Sequence, residues 1–331
     1  MTSPRLDIAL AAQDLQWPEG PIVAFRPDPG QSGLPADRTL VVHGFKPAHD
    51  AWLRAGYDVA AVTPGSSFGA AYVAVPRAKD HAYLLLKQTL DHVQPGGLIA
   101  VDGAKTDGIE SIAKALKPLG VAMRSLSKAH GKLLWFQRPQ DVPSDVFGLR
   151  ASKKAPAGWR TAPGVFSADA IDKGSEILST NLPRLSGRGA DFGAGWGYLS
   201  VRLLEVSNSV EQLDLLEAEW AALTCARENV TDARARFHWV DATSFETEPY
   251  DFVIMNPPFH TSRKADPSLG QRFVEAAARV LKRTGGLTLV ANRHLPYEAV
   301  LSKCFAEVAV RAEASGFKVI HASKPRPQRG R

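Results

Sequence analysis

The sequence predicts an α/β protein of two tandem domains, each a mostly parallel sheet covered by helices. Three observations carry this. The chain has 331 residues, more than the roughly 100 to 200 of one typical domain. Between Gln137 and Gly164 it turns irregular, QRPQDVPSDVFGLRASKKAPAGWRTAPG, with prolines at 139, 143, 156 and 163, as linkers do. Beyond that stretch, short apolar runs alternate with helical patterns, the rhythm of strand-helix-strand units. Domains over 1–148 and 149–331 are expected.

The second half gives its elements in order. GADF near 189 reads as a strand, followed by a helix from about Tyr198. LDLLE is the next strand, ALTCARENV the next helix, and RFHWV and YDFVIM are two further strands. After a proline loop, Asp266 and Pro267 read as an N-cap and first helical position. Leu269, Phe273, Ala277, Val280 and Leu281 share one helical face, with Lys282, Arg283 and Gly285 as the stop. GLTLVAN is a strand, a helix starts near Pro296, and EVAVRAE and FKVIHAS form a hairpin about Ser315 and Gly316. Its last strand is therefore antiparallel.

The first half echoes this ending. PGGLIAV at 95–101 parallels TGGLTLV at 284–290, each flanked by helical patterns and closed by a strand pair. The copies differ where a ligand site is expected. AYVAVPRAKD stands in place of DFVIMNPPFH, with Val75 in the position of Asn256. VVHGFKPAH, read as the first strand and turn, has one glycine where the second half has three. The first domain is thus expected to be the same fold without its site, in a structural or RNA-binding role.

Composition excludes several classes. At 44% hydrophobic and 22% charged residues the chain is ordinary globular material, with no run of about 18 uncharged apolar residues and no secretory start. No membrane partner is expected, and cytoplasmic location follows. Cys225 and Cys304 stand without ligand-like spacing, so neither a disulfide framework nor a metal site is expected. The net charge of +6 splits into 16 Lys+Arg against 14 Asp+Glu over 1–150 and 24 against 20 over 151–331. Lys324, Arg326, Arg329 and Arg331 in the tail match the second excess. The charge supports a polyanionic partner and a solvated tail about equally.

Chemistry concentrates at three strand ends. DFGAGWG offers Gly193, Ala194 and Gly195 in a tight turn before a helix, able to cradle either a pyrophosphate or the amino-acid end of S-adenosylmethionine. Asp191 favours the latter, because a carboxylate meets an ammonium and repels a pyrophosphate. Glu217, about 20 residues on, is placed to accept from ribose hydroxyls. Asp241 and the Ala242 N–H are placed for the adenine edge, with a helix cap as the competing use of Asp241. Asn256 precedes Pro257 and Pro258, whose fixed φ and missing N–H make a stiff extended loop. Its amide oxygen and the Pro257 carbonyl can accept from one NH2 group and aim the nitrogen lone pair at a sulfonium methyl. Phe259 would stack on the ring carrying that amine.

GVFSADAIDKGSEILSTNLP, DFGAGWGYLS, NPPFH, VANRHLPYEAVL and FKVIHASK together resemble the small-subunit (16S) ribosomal RNA guanine-N2 methyltransferases, closely from about Pro163 to Lys324 and mostly in architecture before it. The resemblance implies tandem Rossmann-type methyltransferase-like domains with seven-stranded sheets, the first degenerate. It implies S-adenosylmethionine as cofactor, contacts at Asp191, Gly193, Gly195, Glu217 and Asp241, and guanine received by Asn256 to Phe259. The expected partner is ribosomal RNA or the small subunit, bound by a monomer. Trp196 is bulky for such a turn, and either narrows the pocket or packs under the helix. Alternatives are another amine (23S guanine, adenine N6, a protein glutamine) or a non-catalytic RNA-binding assembly factor using the tail with Lys153, Lys154 and Arg160. A nicotinamide oxidoreductase ranks below both.

Overall fold

The computed structural model describes residues 3–65, 67–143, 146–147, 156–258 and 267–327. It divides into two compact units, Met1–Lys153 and Lys154–Arg331. Among the described residues each holds a seven-stranded sheet, and the two strand orders are the same.

In the first unit the strands are β1 (Ile22–Phe25), β2 (Thr39–Val42), β3 (Asp58–Ala60), β4 (Phe68–Ala74), β5 (Val93–Ala104), β6 (Arg124–Lys128) and β7 (Gly131–Gln137). The helices are α1 (Arg5–Ala11), α2 (Lys46–Arg54), α3 (Lys79–His92) and α4 (Ile109–Leu116). The sheet runs β3-β2-β1-β4-β5-β7-β6, with β7 antiparallel to both neighbours. The second unit carries β8 (Gly187–Phe192), β9 (Val210–Glu217), β10 (Ala235–Trp239), β11 (Tyr250–Met255), β12 (Leu281–Asn292), β13 (Phe305–Ala314) and β14 (Phe317–Pro325). Its helices are α5 (Lys173–Thr180), α6 (Tyr198–Val206), α7 (Trp220–Asn229), α8 (Pro267–Val280) and α9 (Glu298–Cys304). Its order is β10-β9-β8-β11-β12-β14-β13, with β14 antiparallel to β12 and β13. The expected tandem α/β architecture with an antiparallel ending is present in both units.

The central strands are apolar on both faces because helices cover both. Along β11, Val253 and Met255 join one core with Val274, Ala277 and Leu301, while Phe252 and Ile254 join another with Leu199, Leu203 and Ala226. Alternation across a strand divides the two sets. Gly189 on β8 lies under the Phe252 ring, which an added Cβ would meet at 2.1 Å. The β13–β14 turn uses Ser315 at φ 49 and Gly316 at φ 81, as a two-residue hairpin requires.

Three expectations change. VVHGFKPAH holds the second strand, β2; the central first strand of the sheet is β1, IVAF, a run of four that are all buried. The chain leaves β1 through Arg26, at φ 51, and Pro27, so no glycine marks this turn. Secondly, Tyr72 pairs with Ala100 and Met255 with Leu289. Counted from the two Gly-Gly pairs these are corresponding positions, so Val73 rather than Val75 stands level with Asn256. Thirdly, Lys324 pairs with Glu307 at 2.5 Å and the Arg326 Nε donates to the Phe305 carbonyl at 3.1 Å, so this part of the expected free tail is tied to the sheet. Arg329, Arg331, Lys153 and Lys154 lie outside the described residues.

Candidate active site

Strand β8 pairs with β9 on one side and β11 on the other, so the chain direction splits there and opens a crevice at the strand ends. The glycine turn follows β8. Gly193, Gly195 and Gly197 have φ of 70, 58 and 93, conformations that side chains with a Cβ avoid. Gly197 is also pressed against α7, where an added Cβ would meet the Val230 side chain at 2.6 Å, while beside Gly195 there is open space.

The turn is braced by β9. The Leu216 carbonyl accepts from the Gly193 and Ala194 N–H groups at 2.8 and 3.2 Å. One oxygen of Glu217 accepts from the Gly195 N–H at 2.8 Å, and the other from the Glu219 N–H at 2.7 Å. Burial raises the Glu217 pKa above the usual carboxylate value. Each of its oxygens keeps a further lone pair for a hydroxyl donor. Glu219 itself is the N-cap residue of α7.

Asp191 is wholly buried. Its Oδ2 accepts from the Ser200 hydroxyl at 2.7 Å, linking β8 to α6, and its Oδ1 has no partner among the described residues. Desolvation pushes its pKa up to about 7. Asp241 lies two residues past Trp239, which pairs with Glu217. Its Oδ1 accepts from the Thr243 N–H at 2.8 Å and the Thr243 hydroxyl at 2.7 Å, so it closes a turn. Ala242 is packed into the core.

Asn256 follows β11, with Pro257 buried and Pro258 exposed. Its Nδ2 donates to Asp172 Oδ2 and to Ser175 Oγ, both at 2.9 Å. Asp172 caps α5, accepting from the Ser175 N–H at 2.8 Å. Phe259 and His260 lie outside the described residues. Asn256, Asp172, Ser175 and the turn residues Gly193, Ala194 and Gly195 line one crevice, together with Phe166 and Trp196. Asp191, Glu217, Asp241 and Ala242 therefore support the crevice from neighbouring strand ends, while Asn256 and the glycines form its wall.

Sequence reasoning assigned no role to Asp172, Ser175 or Phe166. The Asp-x-x-Ser start of a helix was a visible capping signal, but nothing local ties it to a residue 84 positions away. Trp196 packs under the strap formed by the segment before α5. It meets Trp159 with ring centroids 5.0 Å apart, and its indole N–H donates to the Phe166 carbonyl at 3.1 Å. Asn229 at the end of α7 donates to the carbonyls of Arg160 and Trp196 at 2.8 and 2.7 Å, and accepts from the Arg160 N–H at 2.8 Å. Phe166 is left 58% exposed at the crevice. Among the described residues no His, Cys, Asp and Glu group is arranged to hold a metal, and no helix is long and apolar enough to cross a membrane.

The model of the methyltransferase small domain matches residues 158–321, and that of its N-terminal companion matches residues 45–147. The ribosomal RNA small subunit methyltransferase C of Shewanella oneidensis is 31% identical over 267 residues, 77% of each chain. That of Hahella chejuensis is 33% identical over 263 residues, 75% of each. The chain belongs to this methyltransferase family. Within it, the fold is similar to that of the T. thermophilus 16S rRNA N2 G1207 methyltransferase, solved with AdoMet and guanosine, at a TM-score of 0.80 and 21% identity over 97% of this chain and 92% of that one. The family's two-part organisation accounts for the repeated strand order of the two units.

Proposed function

We propose that this protein transfers a methyl group from S-adenosylmethionine to the exocyclic N2 amine of a guanine in 16S ribosomal RNA. The observation that carries the reading is that Asn256, on a proline-stiffened strand end, shares one crevice with the Gly193-Ala194-Gly195 turn. The names of the relatives support ribosomal RNA of the small subunit as the substrate class, and the contents of the T. thermophilus structure support the cofactor and the base.

The residues fit the cofactor. A buried carboxylate oxygen without a partner at Asp191 attracts an ammonium brought to the turn, and the open space beside Gly195 admits its backbone-like end. Glu217 is placed for the ribose hydroxyls, and Asp241 with the Ala242 N–H for adenine. When bound, S-adenosylmethionine supplies an electrophilic methyl on a sulfonium sulfur, which keeps the bonding electron pair as the nitrogen lone pair forms the new bond. The chain's own work is placement. The Asn256 oxygen and the Pro257 carbonyl accept the two N–H bonds of the amine, turn its lone pair out of conjugation, and stabilise the positive charge that nitrogen gains before it gives a proton to water. Pro258 holds this loop, and Phe259 stacks on the base. No strong base is needed.

The first unit has no counterpart of these groups. Arg26 and Pro27 follow its central strand, and Val73 stands level with Asn256. We read it as a structural or RNA-contacting partner without a cofactor. A monomer acting in the cytoplasm on naked RNA or the small subunit goes with this reading. The test is to incubate the protein with methyl-labelled S-adenosylmethionine and separated ribosomal RNAs or subunits, then identify the modified base by mass spectrometry. N2-methylguanine in 16S RNA is expected; label on adenine or only on protein overturns the proposal.

A further inference from the structure

The Asn256 amide has two ends, and only one of them serves an incoming amine. Turned with its oxygen toward the substrate it accepts; turned by 180° it presents NH2 to NH2 and repels. Rotation of an amide about its last bond is easy, so the loop prolines, which hold the backbone, do not decide between these orientations. The contacts of Asn256 do. Asp172 Oδ2 and Ser175 Oγ lie 2.9 Å from the same amide nitrogen. An ionised carboxylate accepts and never donates, so the flipped amide would set oxygen against oxygen. Asp172 is itself fixed, because the same Oδ2 accepts the Ser175 N–H at 2.8 Å as the cap of α5, and Gly174 leaves it little room.

We propose that Asp172, assisted by Ser175, is a positioning residue that locks the Asn256 amide with its oxygen facing the substrate amine. This rests on the reading of Asn256 as the acceptor for that amine. The cap and the lock are separable by chemistry. Serine at 172 caps a helix about as well as aspartate but is too short to reach Asn256. Asparagine at 172 keeps one oxygen for both donors.

The experiment compares steady-state methylation of 16S RNA by the full-length wild type, Asp172→Ser, Asp172→Asn, Asn256→Asp and the double variant Asp172→Asn/Asn256→Asp. Asp172→Ser is expected to lose roughly 10- to 100-fold in kcat, as loss of a placed contact does, with the KM for S-adenosylmethionine and the Tm close to wild type. Asp172→Asn should stay at least about tenfold more active than Asp172→Ser. Asn256→Asp sets two carboxylates against each other and should lose activity. The double variant restores a donor at 172 and an acceptor at 256, and should regain about tenfold or more over Asn256→Asp alone. Equal activity of Asp172→Ser and Asp172→Asn overturns the inference. If Asp172→Ser does not fold, the exchanged pair decides, rescue supporting the lock and its absence refuting it. A wild type that methylates no guanine sinks the underlying reading instead, which separates the two failures.

Discussion

The Glu217 carboxylate holds the glycine turn from the neighbouring strand, its Oε2 accepting from the Gly195 N–H at 2.8 Å while Oε1 accepts from the Glu219 N–H at 2.7 Å. An acid expected only to meet ribose is thus also part of the scaffold. Glu217→Gln replaces one acceptor by a donor facing an N–H group, so one hydrogen bond is lost whichever way the amide turns. The expected cost is about 1–3 kcal/mol of stability, with a weaker affinity for S-adenosylmethionine. Thermal unfolding and calorimetry check both; an unchanged Tm would show that the bracing is unimportant.

Asn256→Ala removes the acceptor without touching the turn. Methyl transfer should fall by about 10²- to 10³-fold, the usual effect of deleting one preorganised group, while cofactor affinity changes little. Joint loss of both would mean that the loop is structural.

Asp191 should make stability depend on pH. Its pKa in the folded protein, about 7, lies above the ordinary 3.8, so the folded state holds a proton that the unfolded chain has already released. The stabilisation is full below about pH 4 and is lost as pH rises toward 7, by up to about 4 kcal/mol. Asp191→Asn should flatten that decline. Urea unfolding of both proteins at pH 4.5 and 7 tests this, and parallel pH curves would refute it.

Asn229→Ala frees the strap that carries Trp159 and Phe166 from the glycine turn. Three hydrogen bonds go together, and about 1–3 kcal/mol of stability should go with them. Faster proteolysis within residues 158–171 and a weaker cofactor complex are expected; wild-type resistance to protease would rule out a fastening role.

Calorimetry of the whole chain with S-adenosylmethionine should give one site. A second site of comparable affinity would mean that the first unit has kept a pocket after all.

Much of this was legible because strand ends announce themselves. Glu217 closes an apolar run, and Asn256 stands between an apolar run and two prolines, so local pattern sufficed. The first strand of the first unit was not legible, because IVAF is short and leaves through Arg26 and Pro27 instead of glycine, while the next strand carries the more visible turn. The partnership of Asn256 with Asp172 and Ser175 was hidden for another reason. It joins a helix start to a strand end across the sheet, and no periodicity reports such a meeting. Lys324 misled because charge alone does not show that Glu307 lies opposite it on β13.

The segment before β8 contributes Phe166, Asp172 and Ser175 to the crevice and Trp159 to its underside. A recombinant fragment cut at the first strand of the second unit would therefore express a complete sheet with half of its pocket missing. Anyone trimming this enzyme to a minimal version should begin upstream of Trp159, and spacers or affinity handles inserted between Trp159 and Thr180 would be built into the binding wall itself.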